Sequence, residues 1–223
     1  MITIPHSFCQ QVSFIRPTHD WKGISSAAKQ YRESVPFVSF HGTCDDLLEA
    51  SKNDSRISYT ILGASHIMAT PLIMQGKLLR EDHKFVTASY GMGVNYVSPN
   101  DVADAAVVCI LNNKPHRNKV YNLTGPGPIH DAQVSELLTR HYGTEIQHIE
   151  LGYHAYKEDS RKRGLPEWEV RDAAAFERMK ASGVDELSTS YTTDVEKVIG
   201  MKPETFEGYL NNKNCMRPGM TFP

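Results

Sequence analysis

Short apolar runs alternate with helix-length stripes along most of the chain. "QQVSFI", with its core at 11–15, reads as a strand, and "RPTHDWKG" as the loop after it. "ISSAAKQYRESV" predicts a helix stopped by Pro36, and Leu47, Leu48 and Ala50 share one face of a helix with an irregular start. "ISYTIL" (57–62) is compact and β-rich and predicts a buried strand. "SHIMATPLIMQGKLL" is apolar and predicts a helix that Pro71 bends or restarts. "HKFVTASYG" predicts an exposed strand. "NYVSPNDVADAAVVCILNN" predicts a strand, a polar cap and an apolar helix, with Pro99 near the helix start and Asp101 as the cap. "KVYNLTGPG" reads as a strand ending in a glycine–proline turn. "IHDAQVSELLTRHYG" reads as an amphipathic helix closed by Gly143, and "TEIQHIEL" as a further strand.

After residue 152 the pattern turns helical, and the tail "KNCMRPGMTFP" has no regular period. Strands alternating with helices predict an α/β fold, a parallel sheet flanked by helices. The expected organisation is an α/β domain over 1–150, a small helical lobe over 151–212 and an irregular tail over 213–223, with residues 1–36 as irregular cover.

Composition narrows the function classes. With 24 basic against 26 acidic residues the formal charge is −2, so no strong field is expected for nucleic acid or an anionic membrane. The basic run in "EDSRKRG" sits beside Glu158 and Asp159 and reads as a solvated helix end. The cysteines at 9, 44, 109 and 215 form no C-x-x-C pair, which suits neither zinc nor a disulfide framework. Cys109, within "AAVVCIL", predicts an inert buried thiol. His116, His130, His141, His148 and His154 fall on different elements and suggest no metal site. No run approaches a membrane span, and a soluble protein of a reducing compartment, cytoplasmic or organelle interior, is expected.

The densest chemistry lies in "HGTCDDLLEAS" (41–51). His41 and Asp45 stand at i and i+4, on one helical face. A carboxylate beside a histidine fixes its tautomer and raises its pKa, which suits a proton donor. The same pair also serves as the structural opening of a buried helix.

Five stretches in order carry a resemblance: "HGTCDDLL…ISYTIL", "NYVSPNDVADAAVVCIL", "KVYNLTGPGPIHDAQVSELLTRHYGTEIQHIEL", "GLPEWE" and "DVEKVIGMKPETFEGYL". Over roughly residues 37 to 210 the chain resembles the NmrA-like branch of the atypical short-chain dehydrogenases/reductases. That resemblance implies an incomplete Rossmann-like sheet, starting near the family's fifth strand and lacking its glycine-rich nucleotide turn, followed by a helix-rich substrate lobe. It places His41 and Asp45 where the superfamily has its tyrosine and lysine. It sets Gly63, Ser65 and His66 near a strand's C-terminal end, although "GASHIMATP" departs from the arginine and proline that many relatives carry there. Asn95, Tyr96 and Ser98 match the family's segment before a helix. Gly63, Ser65 and Asn95 are thus cofactor-side candidates. His66, Tyr96, Trp168 and Phe176 are pocket candidates, the last two equally able to pack the lobe.

Two glycine clusters remain, "YGMGVN" and "LTGPGP". The first is followed by no helix, and the prolines of the second remove amide donors, so neither predicts a phosphate cradle. The isolated chain is therefore expected to bind no cofactor. NAD(P)H enters only with a complementary nucleotide-binding half. A sheet that starts in its middle exposes an edge, which predicts another protein chain as a partner. The leading expectation is a non-catalytic, accessory NmrA-like subunit. Its rivals are an NAD(P)H-dependent reductase of quinones or small carbonyl compounds and an NAD(P)H-sensing regulator.

Overall fold

The computed structural model describes residues 11–17, 47–48, 50–51, 58–182 and 191–212. Strand β1 (Gln11–Pro17) lies parallel to β2 (Ser58–Ala64), and β2 parallel to β6 (Lys119–Leu123). Tyr59 through Ala64 are all buried. Such an unbroken buried run is the mark of a central parallel strand covered on both faces.

At Ser65 the chain changes neighbours. Its amide donates to the Leu123 carbonyl at 2.9 Å, and β3 (His66–Ile67) then runs parallel to β5 (Gly93–Val97). Strand β5 pairs on its other side, antiparallel, with β7 (Pro128–His130), and β4 (Lys84–Thr87) pairs parallel with β8 (Gln147–Glu150). Among the described residues β1 has β2 as its single neighbour.

Helix α1 (Ala69–Met74) begins two residues before Pro71, so the proline sits in the first turn, where its missing N–H costs nothing. A π-helical turn follows over Leu78–Asp82. Helix α2 (Pro99–Leu111) has Ser98 as its N-cap, with the hydroxyl accepting from the Asn100 amide at 3.1 Å and Pro99 in the first turn. The cap expected at Asp101 is thus Ser98. Asp101 instead accepts from the Glu204 amide at 2.8 Å. Helix α3 (Asp131–Tyr142) opens with a capping box between His130 and Gln133 and ends at Gly143, whose φ of +67° suits glycine.

Strand β4 corrects another expectation. Phe85, Val86 and Thr87 are buried. Gln75, just past α1, clamps Val86 from the side, accepting from its amide and donating to its carbonyl, both at 2.8 Å. Helices α4 (Tyr153–Lys162) and α5 (Glu167–Ser182) contribute the remaining cover: Tyr156, Ala173 and Ala174 pack with Val86 and Ala88.

Two short helices return to the sheet. Val195 and Val198 of α6 (Asp194–Ile199) join Leu62, Val102, Ala105 and Cys109 in one core. Phe206, Tyr209 and Leu210 of α7 (Phe206–Asn211) join Phe85, Val94, Tyr96 and Leu138 in the other. Each core lies on its own face of the sheet, as the two-residue period of β5 requires: Val94 and Tyr96 serve one, Val97 the other. No helix among the described residues is long and apolar enough to cross a membrane.

Candidate functional site

The C-terminal ends of β3, β4 and β5 meet helix α5 around a small cavity of about 40 Å³. His66 comes from β3, Thr87 from β4, Tyr96 from β5, and Phe176, Glu177 and Lys180 from α5. The Phe176 ring meets His66 edge-on with centroids 4.5 Å apart, and Tyr96 stands 6.0 Å from His66 on another side. Ends of parallel strands are where open α/β sheets bind ligands, because the chain leaves each strand there and opens a crevice.

Behind the cavity lies a buried charge cluster. The Lys180 ammonium donates to Asp131 Oδ2 at 3.0 Å and to Glu177 Oε1 at 3.0 Å. Glu177 Oε2 also accepts from the Ala88 amide at 2.8 Å, and Ser89 Oγ donates to Asp131 Oδ2 at 2.7 Å. The Tyr96 hydroxyl points at Asp131 Oδ1 from 3.4 Å. One ammonium thus faces two carboxylates. Burial pushes the Glu177 carboxyl above its ordinary range, with Lys180 pulling it back down. Burial opposes the Lys180 charge, but Tyr96, Glu177 and Asp131 together hold its pKa well above that of a free lysine. Burial also drives the Tyr96 phenol far upward, against the pull of Lys180. Tyr156, on the cavity wall, is pushed up to about 12 by burial.

The structure brings together three of the four pocket residues predicted from the sequence: His66, Tyr96 and Phe176. Trp168 is 62% exposed and lies outside the cavity. His41 and Asp45 lie outside the described residues. Gly63, Ser65 and Asn95 gather around the segment Asn122–Gly125. Gly63 pairs with Asn122, Ser65 bonds Leu123, and the Asn95 carboxamide oxygen lies 3.4 Å from where a Gly125 Cβ would sit. Strand alternation puts Asn95 on the sheet face opposite Tyr96, so the cofactor-side candidates do not share the cavity. The Ser65 hydroxyl is buried and has no hydrogen-bond partner among the described residues.

Lys180, Glu177, Asp131 and Thr87 escaped the sequence reading. The signal was present in "FERMKASG", where glutamate and lysine stand at i and i+3. That spacing usually marks a solvated pair on a helix surface, and only the docking of α5 over β4 reveals otherwise. Cys109 is fully buried, and burial pushes its thiol up to about 11, as suits an inert thiol.

A dinucleotide does not fit these described residues in the usual way. A pyrophosphate needs a helix N-terminus with free amides and a glycine turn against it. At α2 the Asn100 amide is capped by Ser98 and the chain's own acids crowd the first turn: Glu204 accepts from Ser98 Oγ and from Asn100 Nδ2, and Asp101 is buried beside it. At α3 the first turn holds Asp131. Gly91 forms a turn at φ +70° that leads into strand β5, and Gly125 is pressed against the Tyr96 carbonyl. No cluster of His, Cys, Asp and Glu among the described residues could hold a metal ion.

No family model matches the chain. Agroclavine dehydrogenase of Claviceps fusiformis is 27% identical over 163 residues, covering 71% of this chain and 55% of its own length. The uncharacterized oxidoreductase YesF of Bacillus subtilis (strain 168) is 22% identical over 153 residues, 68% of this chain and 52% of its own. The chain spans about half the length of these curated relatives. Among solved structures, the NADPH complex of a quinone oxidoreductase from Escherichia coli superposes with a TM-score of 0.74 at 19% identity, covering 90% of this chain and 64% of that one. Triphenylmethane reductase of Citrobacter sp., complexed with NADP(H), gives 0.66 at 21% identity, with 89% and 75% covered. These likenesses show the fold. The chain has a Rossmann-like α/β architecture, in agreement with the NmrA-like resemblance of its sequence.

Proposed function

We propose that this chain supplies the acceptor-binding part of an NAD(P)H-dependent reductase, with the dinucleotide held chiefly by residues beyond those described here. The observation that carries the reading is the cavity at the strand ends, walled by His66, Tyr96 and Phe176 and backed by Lys180. It combines apolar rings with a few polar groups in the crevice where such sheets place ligands. Its neighbours in fold and sequence are reductases and dehydrogenases, two of them solved with NADPH or NADP(H). That weighs for the reductase reading over the accessory role put first on sequence grounds.

Among the described residues β1 pairs only with β2, which supports a corollary. In a parallel sheet an unpaired edge strand offers its N–H and C=O groups to a further strand. The nucleotide-holding strands would complete the sheet there, whether carried by another polypeptide or by other residues of the same one. The accessory reading survives as a second one on this same edge, where a partner's strand could dock without any chemistry.

The test is native mass measurement of the purified particle, with identification of any co-purifying chain, followed by calorimetric titration with NADPH and an assay of NADPH oxidation with a quinone or small carbonyl acceptor. NADPH binding with acceptor-dependent oxidation supports the reductase. A complete particle that binds no NADPH returns the accessory role to first place.

A further inference from the structure

The walls and charges of the cavity are unequal in a way that selects a ligand. His66, Phe85, Tyr96, Tyr156 and Phe176 line it with rings, and Glu177 and Lys180 face it from α5. Asp131 stands just behind Lys180 at 3.0 Å. The Lys180 hydrogen bonds go to these two carboxylates, so its charge is committed to them. Nearby, Arg163 is matched by Asp159 at 2.8 Å. Among the described residues of this cluster, two carboxylates face one ammonium. Burying a second carboxylate charge is costly unless it takes up a proton or a positive partner arrives, and burial pushes the Glu177 carboxyl upward.

We propose that the cavity binds the cationic nitrogen end of a small organic amine or similar organic cation, with Glu177 as the counter-charge and the rings of Tyr96 and Phe176 as walls. Resting on the reductase reading, this names the acceptor as a positively charged one. Aromatic faces attract cations through their quadrupole, most strongly where water is excluded. Size restricts the fit. The enclosed space is about 40 Å³, whereas a cavity that takes benzene measures on the order of 150 Å³. An ammonium head fits; a whole ring does not. The body of the ligand would lie over the mouth at Thr70, Pro71 and Met74.

A neutral or anionic ligand is disfavoured by the same arrangement. A neutral head leaves the excess carboxylate uncompensated, and an anion adds a second uncompensated charge.

The experiment is calorimetric titration of the intact protein with benzylammonium, benzyl alcohol and benzoate, without nucleotide. Benzylammonium is expected to bind roughly tenfold or more tightly than benzyl alcohol, with benzoate weakest. Glu177→Gln should reduce benzylammonium affinity by about tenfold and leave benzyl alcohol within about twofold. Phe176→Leu, which removes one ring and no charge, should weaken the cation more than the alcohol. If Glu177→Gln fails to fold, the wild-type order of the three probes and the Phe176→Leu result still decide. Binding of benzyl alcohol or benzoate as tight as benzylammonium overturns the inference, as does no binding of any probe, or cation affinity untouched by either substitution. Because NADPH is absent, loss of this inference leaves acceptor-dependent NADPH oxidation as a separate question, and failure of that assay leaves the probe order standing.

Discussion

Lys180 and Asp131, 49 residues apart in sequence, form a 3.0 Å ion pair with side chains only 3% and 0% exposed. The pair fastens the last turn of α5 to the first turn of α3. Truncating the lysine leaves two buried carboxylates facing each other, and breaking a buried pair by removing one partner typically costs about 3–5 kcal/mol. Lys180→Met is therefore expected to lower unfolding stability by about that much in urea titration. The double change Lys180→Met with Asp131→Asn should recover part of the loss. A cost indistinguishable from that of an exposed lysine would contradict the burial described here.

The same lysine predicts an alkaline limb. Its folded pKa is raised well above the ordinary lysine value, so its contribution is fully present below the unfolded value, about 10.4, and is lost as pH rises through the folded one. Tyr96, also raised, acts in the same direction. Stability measured by urea unfolding from about pH 8 to pH 11 should fall at the upper end. Lys180→Met should show a shallower fall, and a profile parallel to wild type would refute the assignment.

Ser98 and Asp101 divide the work at the start of α2. The Ser98 hydroxyl accepts from the Asn100 amide, while Asp101 holds the Glu204 amide. Ser98→Ala should cost about 1 kcal/mol for the lost cap. Asp101→Ala should cost about 1–3 kcal/mol by stripping a partner from the Glu204 amide. Thermal melts of both variants read the two costs, and an unchanged melt for Ser98→Ala would contradict its role as the cap.

How far the sequence reveals this molecule depends on whether a feature is local. Strand β2 was legible because Tyr59, Thr60, Ile61 and Leu62 make a compact run of β-favouring residues. Helix α3 was legible because Val134 and Leu138 repeat at helical spacing and Gly143 closes it. The burial of β4 was not, since its cover comes from Gln75 on one side and Ala173 and Ala174 on another, none of them sequence neighbours. The charge cluster was illegible for the same reason: Asp131 looks like a helix-start acid and Glu177–Lys180 like a surface pair until α5 is laid over the sheet. Tyr96 was reached through the family resemblance, His66 through its place at a strand's C-terminal end, and Phe176 as an aromatic of the late helices. Trp168 was carried along by its aromatic character, although position on the outer side of α5 decides its exposure.

Gly125 ties the two faces of the site together and gives a sharp test. It follows the β6 strand end, and a Cβ there would run into the Tyr96 carbonyl oxygen and lie within 3.4 Å of the Asn95 carboxamide. The obstacle is backbone of a central strand, which cannot turn aside as a flexible side chain can. Gly125→Ala should therefore push β5 away from the β6–β7 connection, costing upward of about 1–3 kcal/mol, as overpacking does, and displacing Tyr96 from the cavity. Gly127→Ala, two residues on, meets open space and serves as the control, with an effect within about 0.5 kcal/mol. Melting temperature reads the first effect, and tyrosine fluorescence or benzylammonium binding reads the second. Equal behaviour of the two alanine variants would mean that the close approach of Gly125 to β5 is absent from the protein in solution.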